Sequence, residues 1–212
     1  MNELKIEEYI LSHIDPEPEL LKRMTREANV KLLRPRMLSG NIQGRLLKML
    51  ATMIKPLNIL EIGTYTGYSA LCLAEGAPKD AKIYTIEIDD EMEGFITKYL
   101  QESEYGHKVE LKIGDALQLM NNYEDNFFDL IFIDANKRDY LSYYHIAIEK
   151  LKKGGVILAD NTLWNGKVVE DKFHKDEQTC GVMKFNNHIK DDTRIEKVIL
   201  PIRDGLTIIR KI

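Results

Sequence analysis

LNILEIGTYTGYSALCLA, residues 57–74, decides the fold predicted for this chain. Its first half is a short apolar run after Pro56, which is typical of a buried strand in a parallel sheet. Gly63 and Gly67 then stand four positions apart, and apolar residues at helical spacing follow from Tyr68. A strand, a glycine turn and a helix in this order bring backbone amides close to a ligand in α/β folds, although the same order also occurs as an ordinary connection.

The spacing of the glycines distinguishes between two classes of nucleotide-like cofactor. The Gly-x-Gly-x-x-Gly pattern of nicotinamide-binding folds, aligned on Gly63, requires glycine where this chain has Glu61 and Thr66. Residues 61–67 instead match Glu/Asp-x-Gly-x-x-x-Gly, which resembles the first motif of S-adenosylmethionine (SAM) methyltransferases.

Strands and helices are predicted to alternate along the rest of the chain. Helices over residues 3–14, 20–30 and 41–54 predict a helical cap in residues 1–55, followed by a Rossmann-like core in residues 56–212, all in one domain. The alternation predicts an α/β fold with a doubly wound, mostly parallel sheet of seven strands. The last two strands are joined by five residues only, so they must form an antiparallel hairpin. The predicted strands cover residues 57–60, 82–88, 109–113, 127–133, 155–159, 195–200 and 206–210, and the core helices cover residues 68–74, 90–100, 115–120, 140–151 and 181–189.

Composition and charge exclude several classes of protein. The 212 residues are 44% hydrophobic and contain no apolar run approaching the roughly 18 residues of a membrane span, and no signal peptide is predicted at the start. The expected compartment is therefore the cytoplasm, with Cys72 and Cys180 as reduced structural thiols. The net charge of -4 argues against a wholly basic nucleic-acid binder.

The charge is nevertheless uneven along the chain. Residues 22–48 contain eight basic side chains and a single acid, Glu27. This basic stretch is interpreted either as a solvated helix face or as a surface that receives an anionic substrate, such as a phosphorylated ester or an RNA backbone.

Polar residues follow the predicted strands, where ligands bind in sheets of this kind. Glu87 ends the second strand 24 residues after Gly63, where a carboxylate can bind both hydroxyls of an adenosine ribose. Three further acids follow at 89–91, so a solvated strand end is the alternative. Asp115 follows the third strand and is expected to bind the adenine amino group, to cap the next helix, or to do both.

The fourth and fifth strands both end in carboxylates, Asp134 and Asp160. If these strands are neighbours, they lie roughly 5 Å apart. Two carboxylates at so short a distance repel each other unless a cation lies between them. With the amide oxygen of Asn161 they offer three hard oxygen ligands, which suit Mg²⁺ and leave positions for a bidentate substrate. A plain turn at 160–161 is the alternative, which the presence of Asp134 and Lys137 disfavours.

Four segments together resemble the metal-dependent O-methyltransferases, the family that includes the caffeoyl-CoA and catechol enzymes and their bacterial relatives. The segments are LEIGTYTGYS at 60–69, FIDANK at 132–137, DNTLWNG at 160–166 and LPIRDGL at 200–206, and the resemblance runs over nearly the whole chain. It implies a SAM site formed by Ser39, Glu61, Gly63, Thr64, Tyr65, Ser69, Glu87, Asp115, Ala116 and Asp134. It also implies that Asp134, Asp160 and Asn161 bind Mg²⁺ or another divalent cation such as Ca²⁺ or Mn²⁺, that Lys137 is the catalytic base beside Asp134, and that Asn165 and Lys137 contact the substrate.

The resemblance implies a homodimeric O-methyltransferase that acts on a vicinal-diol aromatic or its CoA ester. The metal would lower the pKa of a chelated hydroxyl, Lys137 would take the proton, and the oxygen would attack the SAM methyl in line. One departure leaves the acceptor open, because no acidic residue near Asp204 corresponds to the one that positions the second hydroxyl in the catechol enzyme. Two alternatives remain: a transfer RNA 5-hydroxyuridine O-methyltransferase, which the basic stretch could serve, and a non-catalytic SAM-binding regulatory protein, against which Asp134 and Lys137 argue.

Overall fold

The computed structural model describes residues 2–212, with side chains from residue 5 onward. Within these residues no helix has the length and the apolar composition needed to cross a membrane. Three helices precede the sheet: α1 (Asn2–His13), α2 (Glu19–Lys31) and α3 (Gly40–Ile54). The elements that follow are β1 (Asn58–Ile62), α4 (Tyr68–Gly76), β2 (Lys82–Glu87), α5 (Glu93–Glu102), β3 (Val109–Ile113), α6 (Ala116–Leu119), β4 (Phe128–Ile133), α7 (Tyr140–Lys150), β5 (Leu151–Asp160), α8 (Glu177–Asp191), β6 (Ile195–Leu200) and β7 (Leu206–Lys211).

The seven strands form one sheet in the order β3-β2-β1-β4-β5-β7-β6. Strands β1 to β5 pair in parallel, and β7 lies antiparallel between β5 and β6. The predicted doubly wound, mostly parallel α/β sheet with a C-terminal antiparallel hairpin is confirmed. The chain moves outward from β1 to β3 and then returns to β4, so the carboxyl ends of β1 and β4 flank the crevice where such folds bind ligands.

Two apolar layers hold helices against the two faces of the sheet. On one face Met24 of α2 and Leu47 of α3 share a buried cluster with Ile59 of β1. On the other face Leu60, the next residue of β1, packs with Tyr140 of α7 and with α8. The alternation follows from the two-residue period of a strand. The cap helices α2 and α3 are thus fixed to the same sheet that carries the predicted ligand residues.

The two predicted boundaries that differ most from the structure each lie four residues too late, for different reasons. Helix α8 begins at Glu177 rather than residue 181, because the Asp176 carboxylate accepts hydrogen bonds from the backbone amide and hydroxyl of Thr179 and caps the helix there. Strand β5 begins at Leu151 rather than residue 155, and α7 ends one residue before it. Leu151 already pairs with Phe128, and a register shift separates this pair from the ladder that resumes at Leu130.

The basic stretch at 22–48 is partly neutralised by acids of the same helix and of neighbouring helices. Arg45 is largely buried and donates to both carboxylate oxygens of Glu75, at 2.9 and 2.7 Å. The further pairs are Lys22 with Glu19, Arg23 with Glu102, and Lys31 with Glu27. Among the described side chains, the basic residues of this stretch that make no ion pair are Arg26, Arg34, Arg36 and Lys48. The stretch is therefore not a continuous cationic surface.

Candidate active site

The glycine turn after β1 is built against the end of β4. Gly63 and Gly67 have φ angles of 93° and 84°, which glycine adopts without strain. A Cβ atom on Gly63 would lie 2.1 Å from the carbonyl oxygen of Asp134, so a side chain at this position would collide with the backbone. The amide of Asp134 in turn donates to the Ile62 carbonyl at 2.9 Å. The turn and Asp134 are therefore held side by side.

Glu87 belongs to this turn, unlike the acids that follow it. Its side chain is buried, and its Oε2 accepts a 2.6 Å hydrogen bond from the amide of Tyr65. Its Oε1 accepts from the amide of Asp89 at 3.0 Å. The three acids at 89–91 are exposed. Of the four acidic residues at the end of β2, only Glu87 is placed beside the glycine turn.

Glu61 is a fully buried carboxyl in the centre of the sheet. Its Oε2 accepts a 2.5 Å hydrogen bond from the hydroxyl of Thr85, its cross-strand partner, and Thr85 is 2.5 Å from the hydroxyl of Thr64. Burial raises the pKa of Glu61 to about 8, against the opposing effect of the nearby Ser69 and Thr85 hydroxyls. Its Oε1, like the hydroxyl of Tyr65, is buried without a hydrogen-bond partner among the described residues. Such groups fit a site whose polar ligand completes them.

The raised pKa predicts a stability effect that depends on pH. The Glu61 carboxyl has a folded pKa of about 8 against an ordinary value of 4.5, so the folded state binds its proton more tightly. The contribution of this proton to the free energy of unfolding is fully present below the pKa of the unfolded state. It is lost as the pH rises through the pKa of the folded state. We expect the thermal unfolding temperature of the ligand-free protein to fall between about pH 5 and pH 8, and Glu61→Gln to flatten that decline. An identical decline in the variant would assign the pH dependence to other groups.

Asp134 and Asp160 lie at the ends of adjacent strands. The register pairs Ile133 of β4 with Ala159 of β5, so the two aspartates follow at matching positions on parallel strands, roughly 5 Å apart. Asp160 is buried, and burial, with the charge of Asp134 as the next cause, raises the pKa of its carboxyl. A divalent cation relieves such repulsion. Among the described residues no third His, Cys, Asp or Glu completes a metal-binding group, so a third protein ligand would come from an amide such as that of Asn161. The donor set fits a hard cation.

Lys137 is buried beside both aspartates. Its Nζ donates to Asp134 Oδ1 at 2.9 Å and to the hydroxyl of Tyr140 at 2.7 Å. The Tyr140 hydroxyl donates to the backbone carbonyl of Asp160 at 2.8 Å. The ammonium also lies 5.8 Å from the centre of the Trp164 ring. Tyr140 therefore links Lys137 to the end of β5.

The segment after β5 has an unusual backbone. Asn161, Trp164 and Asn165 all have φ angles near +50°, which are costly for residues other than glycine. The backbone amide of Asn165 donates a hydrogen bond to the carboxylate of Asp204 in the β6–β7 turn. The side chain of Asn165 is exposed. Asn161 adjoins Asp160 at the strand end, whereas Asn165 lies on the outer rim.

The remaining sequence-predicted residues lie along the same edge of the sheet or in the cap. Ser39 is buried and precedes α3, and Ser69 is buried in the first turn of α4. Asp115 caps α6, with its Oδ1 accepting from the amide of Leu117 at 2.9 Å, and Ala116 is the first residue of that helix. The capping interpretation of Asp115 is confirmed, and its proposed adenine contact stays a prediction.

Three side chains join this site without a clear sequence signal. Tyr140 is fully buried in the core, and its hydroxyl also accepts a hydrogen bond from Lys137. Gln43 of α3 donates to Asp160, and Arg203 of the β6–β7 turn donates to Gln43. Both contacts join residues more than 100 positions apart, so local spacing does not reveal them.

Comparison with known proteins identifies the family of this chain. A family described as O-methyltransferase matches residues 11–212. Caffeoyl-CoA O-methyltransferase 2 of Populus trichocarpa is 36% identical over 210 residues, covering 92% of this chain and 83% of the relative. The caffeoyl-CoA O-methyltransferase of Petroselinum crispum is 35% identical, with 92% and 85% covered.

Solved structures show the same fold. The O-methyltransferase TomG of Streptomyces achromogenes, in complex with SAM, superposes with a TM-score of 0.89 at 28% identity, covering 98% of this chain and 96% of that one. An O-methyltransferase of Bacillus cereus in complex with SAH gives a TM-score of 0.87 at 26% identity, with 98% and 97% covered. Fold, sequence and family agree over almost the entire length, and the chain therefore belongs to the O-methyltransferase family and is a methyltransferase.

Proposed function

We propose that this methyltransferase takes its methyl group from SAM, bound over the carboxyl ends of β1 and β2. The glycine turn supplies close backbone approach, and Glu87 is a buried carboxylate that already orients the turn through the Tyr65 amide. The unpartnered Glu61 Oε1 and Tyr65 hydroxyl support a polar ligand at this place. The proposed contacts are Ser39, Glu61, Gly63, Thr64, Tyr65, Ser69, Glu87, Asp115, Ala116 and Asp134. SAM- and SAH-bound neighbours of the same fold support the cofactor.

Glu87→Ala is expected to weaken SAM binding by about 1.5 to 3 kcal/mol, roughly 10- to 150-fold, because it removes a charge-assisted hydrogen-bond acceptor. Calorimetric titration of SAM measures the change. Glu91→Ala, which removes an exposed acid four residues later, serves as the matched control and should bind SAM normally. Equal affinities for the two variants would remove Glu87 from the proposed ribose site.

The methyl acceptor is proposed to bind beside Asp134, Asp160 and Asn161, the residues that would hold a divalent cation, with Mg²⁺ as the first candidate. The observation that carries this proposal is the pair of aspartates at matching ends of β4 and β5, with the buried Lys137 paired to Asp134 and 5.8 Å from the centre of the Trp164 ring. When bound, the cation would supply Lewis acidity that lowers the pKa of an acceptor hydroxyl. An acceptor with two adjacent hydroxyls suits a cation that keeps open positions, so the proposed substrate is a vicinal-diol aromatic or its CoA ester.

Lys137 is proposed to take the proton from the acceptor hydroxyl. Its Nζ donates hydrogen bonds to Asp134 and Tyr140. In the neutral amine, the lone pair of Nζ would remain to take the proton of the acceptor. The glycine turn packed on Asp134 would align the SAM methyl with the same oxygen, and such alignment lowers the barrier to transfer. Trp164 and Asn165 would form the outer wall of the acceptor site.

Transfer RNA is the weaker candidate for the acceptor. The basic stretch that could bind a phosphate backbone is partly paired with acids, although among the described side chains Arg34 and Arg36 of the cap make no ion pair. Membership of an enzyme family disfavours the regulatory-protein alternative. We further propose that residues 1–212 act as one domain in the cytoplasm.

The proposed assembly is a homodimer. Helix α1 exposes Ile6, Tyr9 and Ile10, and helix α3 exposes Met49 and Met53, apolar side chains that a second copy could cover. Sedimentation of wild type and Ile6→Glu would test this, since the wild type should sediment as a dimer and the variant as a monomer. A monomeric wild type would contradict the proposal.

Removal of the cation tests the proposed function as a whole. Turnover of a catechol with SAM should be lost in EDTA and restored by Mg²⁺, Mn²⁺ or Ca²⁺. Full activity in EDTA would contradict the metal site. If RNA containing 5-hydroxyuridine were methylated and no catechol were, the proposed acceptor would be wrong. The proposed transfer of a methyl group from SAM would still hold.

A further inference from the structure

Gln43 is a buried cap residue that contacts the proposed metal site directly. It lies in the first turns of α3, is 2% exposed, and its Nε2 donates to Asp160 Oδ2 at 2.6 Å. Among the described residues, Gln43 is the only one whose side chain donates a hydrogen bond to the Asp160 carboxylate. The contact joins the helical cap to the end of β5, at the carboxylate proposed to bind the cation.

Arg203 fixes the orientation of the Gln43 amide. This residue lies in the turn between β6 and β7 and reaches the cap, where its Nη1 donates to Gln43 Oε1 and to the Ser39 carbonyl, and its Nη2 donates to the Leu38 carbonyl at 3.2 Å. A guanidinium group only donates, so Gln43 must present Oε1 to Arg203 and Nε2 to Asp160. The reversed amide would place an oxygen against the carboxylate and a second donor against Arg203.

The same turn also holds the segment on the other side of the site. The carboxylate of Asp204 accepts a hydrogen bond from the backbone amide of Asn165. The backbone carbonyl of Asp204 accepts a second one from the amide of Leu163 at 2.9 Å. Gly205 packs so closely on Leu163 that an added Cβ would lie 2.5 Å from Leu163 Cγ. The residues of the LPIRDGL segment are thus connected to both the cap and the segment after β5.

We propose that Arg203 and Gln43 are positioning residues for the metal site, and that Gln43 sets the rotation of the Asp160 carboxylate while Arg203 sets the amide of Gln43. The inference rests on the proposed function, because it assigns these residues to the divalent cation that Asp160 would bind. Hydrogen bonds to a ligand's unused oxygen commonly change metal affinity by 10- to 100-fold. Cation affinity therefore depends on the docked position of the cap.

The test is a Mn²⁺ titration of the protein without SAM or acceptor, followed by electron paramagnetic resonance of the free ion. Gln43→Met keeps the size of the side chain and removes both hydrogen bonds, so Mn²⁺ should bind about 10- to 100-fold more weakly. Arg203→Met should also weaken binding, because the amide is then free to reverse. The double variant should bind no more weakly than Gln43→Met alone, because Arg203 acts through Gln43.

Arg23→Met is the matched control, since it breaks the ion pair between α2 and Glu102 at a distance from Gln43. This variant should lower the unfolding temperature and leave Mn²⁺ affinity unchanged. Wild-type affinity in folded Gln43→Met, or equal losses in Arg23→Met, would overturn the positioning role while leaving the metal site intact. No Mn²⁺ binding by the wild type would overturn the metal site and, with it, this inference.

Discussion

Asp160→Ala is expected to reduce methyl transfer to background. Asp160 is one of two carboxylates in a proposed site with three protein ligands, and its loss should cost more than the 10- to 100-fold typical of residues that only support a ligand. The variant also leaves the Gln43 amide without its acceptor. Steady-state rates with SAM, a catechol and saturating Mg²⁺ measure the effect, and Mn²⁺ affinity should fall in parallel.

A second aspartate controls for the loss of a hydrogen-bonded carboxylate. Asp125→Ala breaks the 2.7 Å pair with Lys150 away from the site and should retain wild-type turnover. Asp160→Asn keeps the shape of the side chain, and it should be nearly as inactive as Asp160→Ala because the amide lacks the charge. If Asp160→Ala turned over at the wild-type rate, Asp160 could not be a metal ligand in the reaction.

Lys137→Met should lower kcat by about 10²- to 10⁴-fold, the range that a positioned general base contributes. Methionine keeps most of the length of the buried stem and removes Nζ, which contacts Asp134 and Tyr140. SAM affinity should stay nearly normal, so the loss should appear in kcat rather than in cofactor binding. Rapid-quench measurement of a single turnover separates the chemical step from product release.

Lys108→Met provides the control for removing a buried cation. Lys108 Nζ donates to the Ala74 and Ala77 carbonyls at the end of α4, outside the site, so this variant should lose stability but keep kcat. Wild-type kcat in Lys137→Met at neutral pH would show that Lys137 only supports the site structurally.

The sequence predicted most reliably what depends on local pattern. The strand, turn and helix of residues 57–74, and the polar residues after each parallel strand, could be located because sheet topology carries the ends of β1, β2, β4 and β5 to one edge. Glu87 could be preferred over the acids at 89–91 because it is the first of the four and ends the strand, and the structure buries Glu87 and exposes the others.

Contacts between distant segments could not be predicted in this way. Gln43 and Arg203 lie 160 positions apart, and neither stands in a pattern that marks a buried polar contact. The early start of β5 was also missed, because residues 152–155 are two lysines and two glycines that resemble a turn, whereas pairing of Leu151 with Phe128 extends the strand. In both cases tertiary contacts outweigh local propensity.

Transfer of a labelled methyl group from SAM to a matched pair of acceptors tests the central claim most directly. One acceptor carries two adjacent aromatic hydroxyls and the other carries one of them only. With Mg²⁺ present, the diol should receive the label on one oxygen and the single hydroxyl should receive almost none. Equal labelling of both acceptors, or labelling of neither, would contradict a metal-assisted O-methyltransferase of vicinal diols.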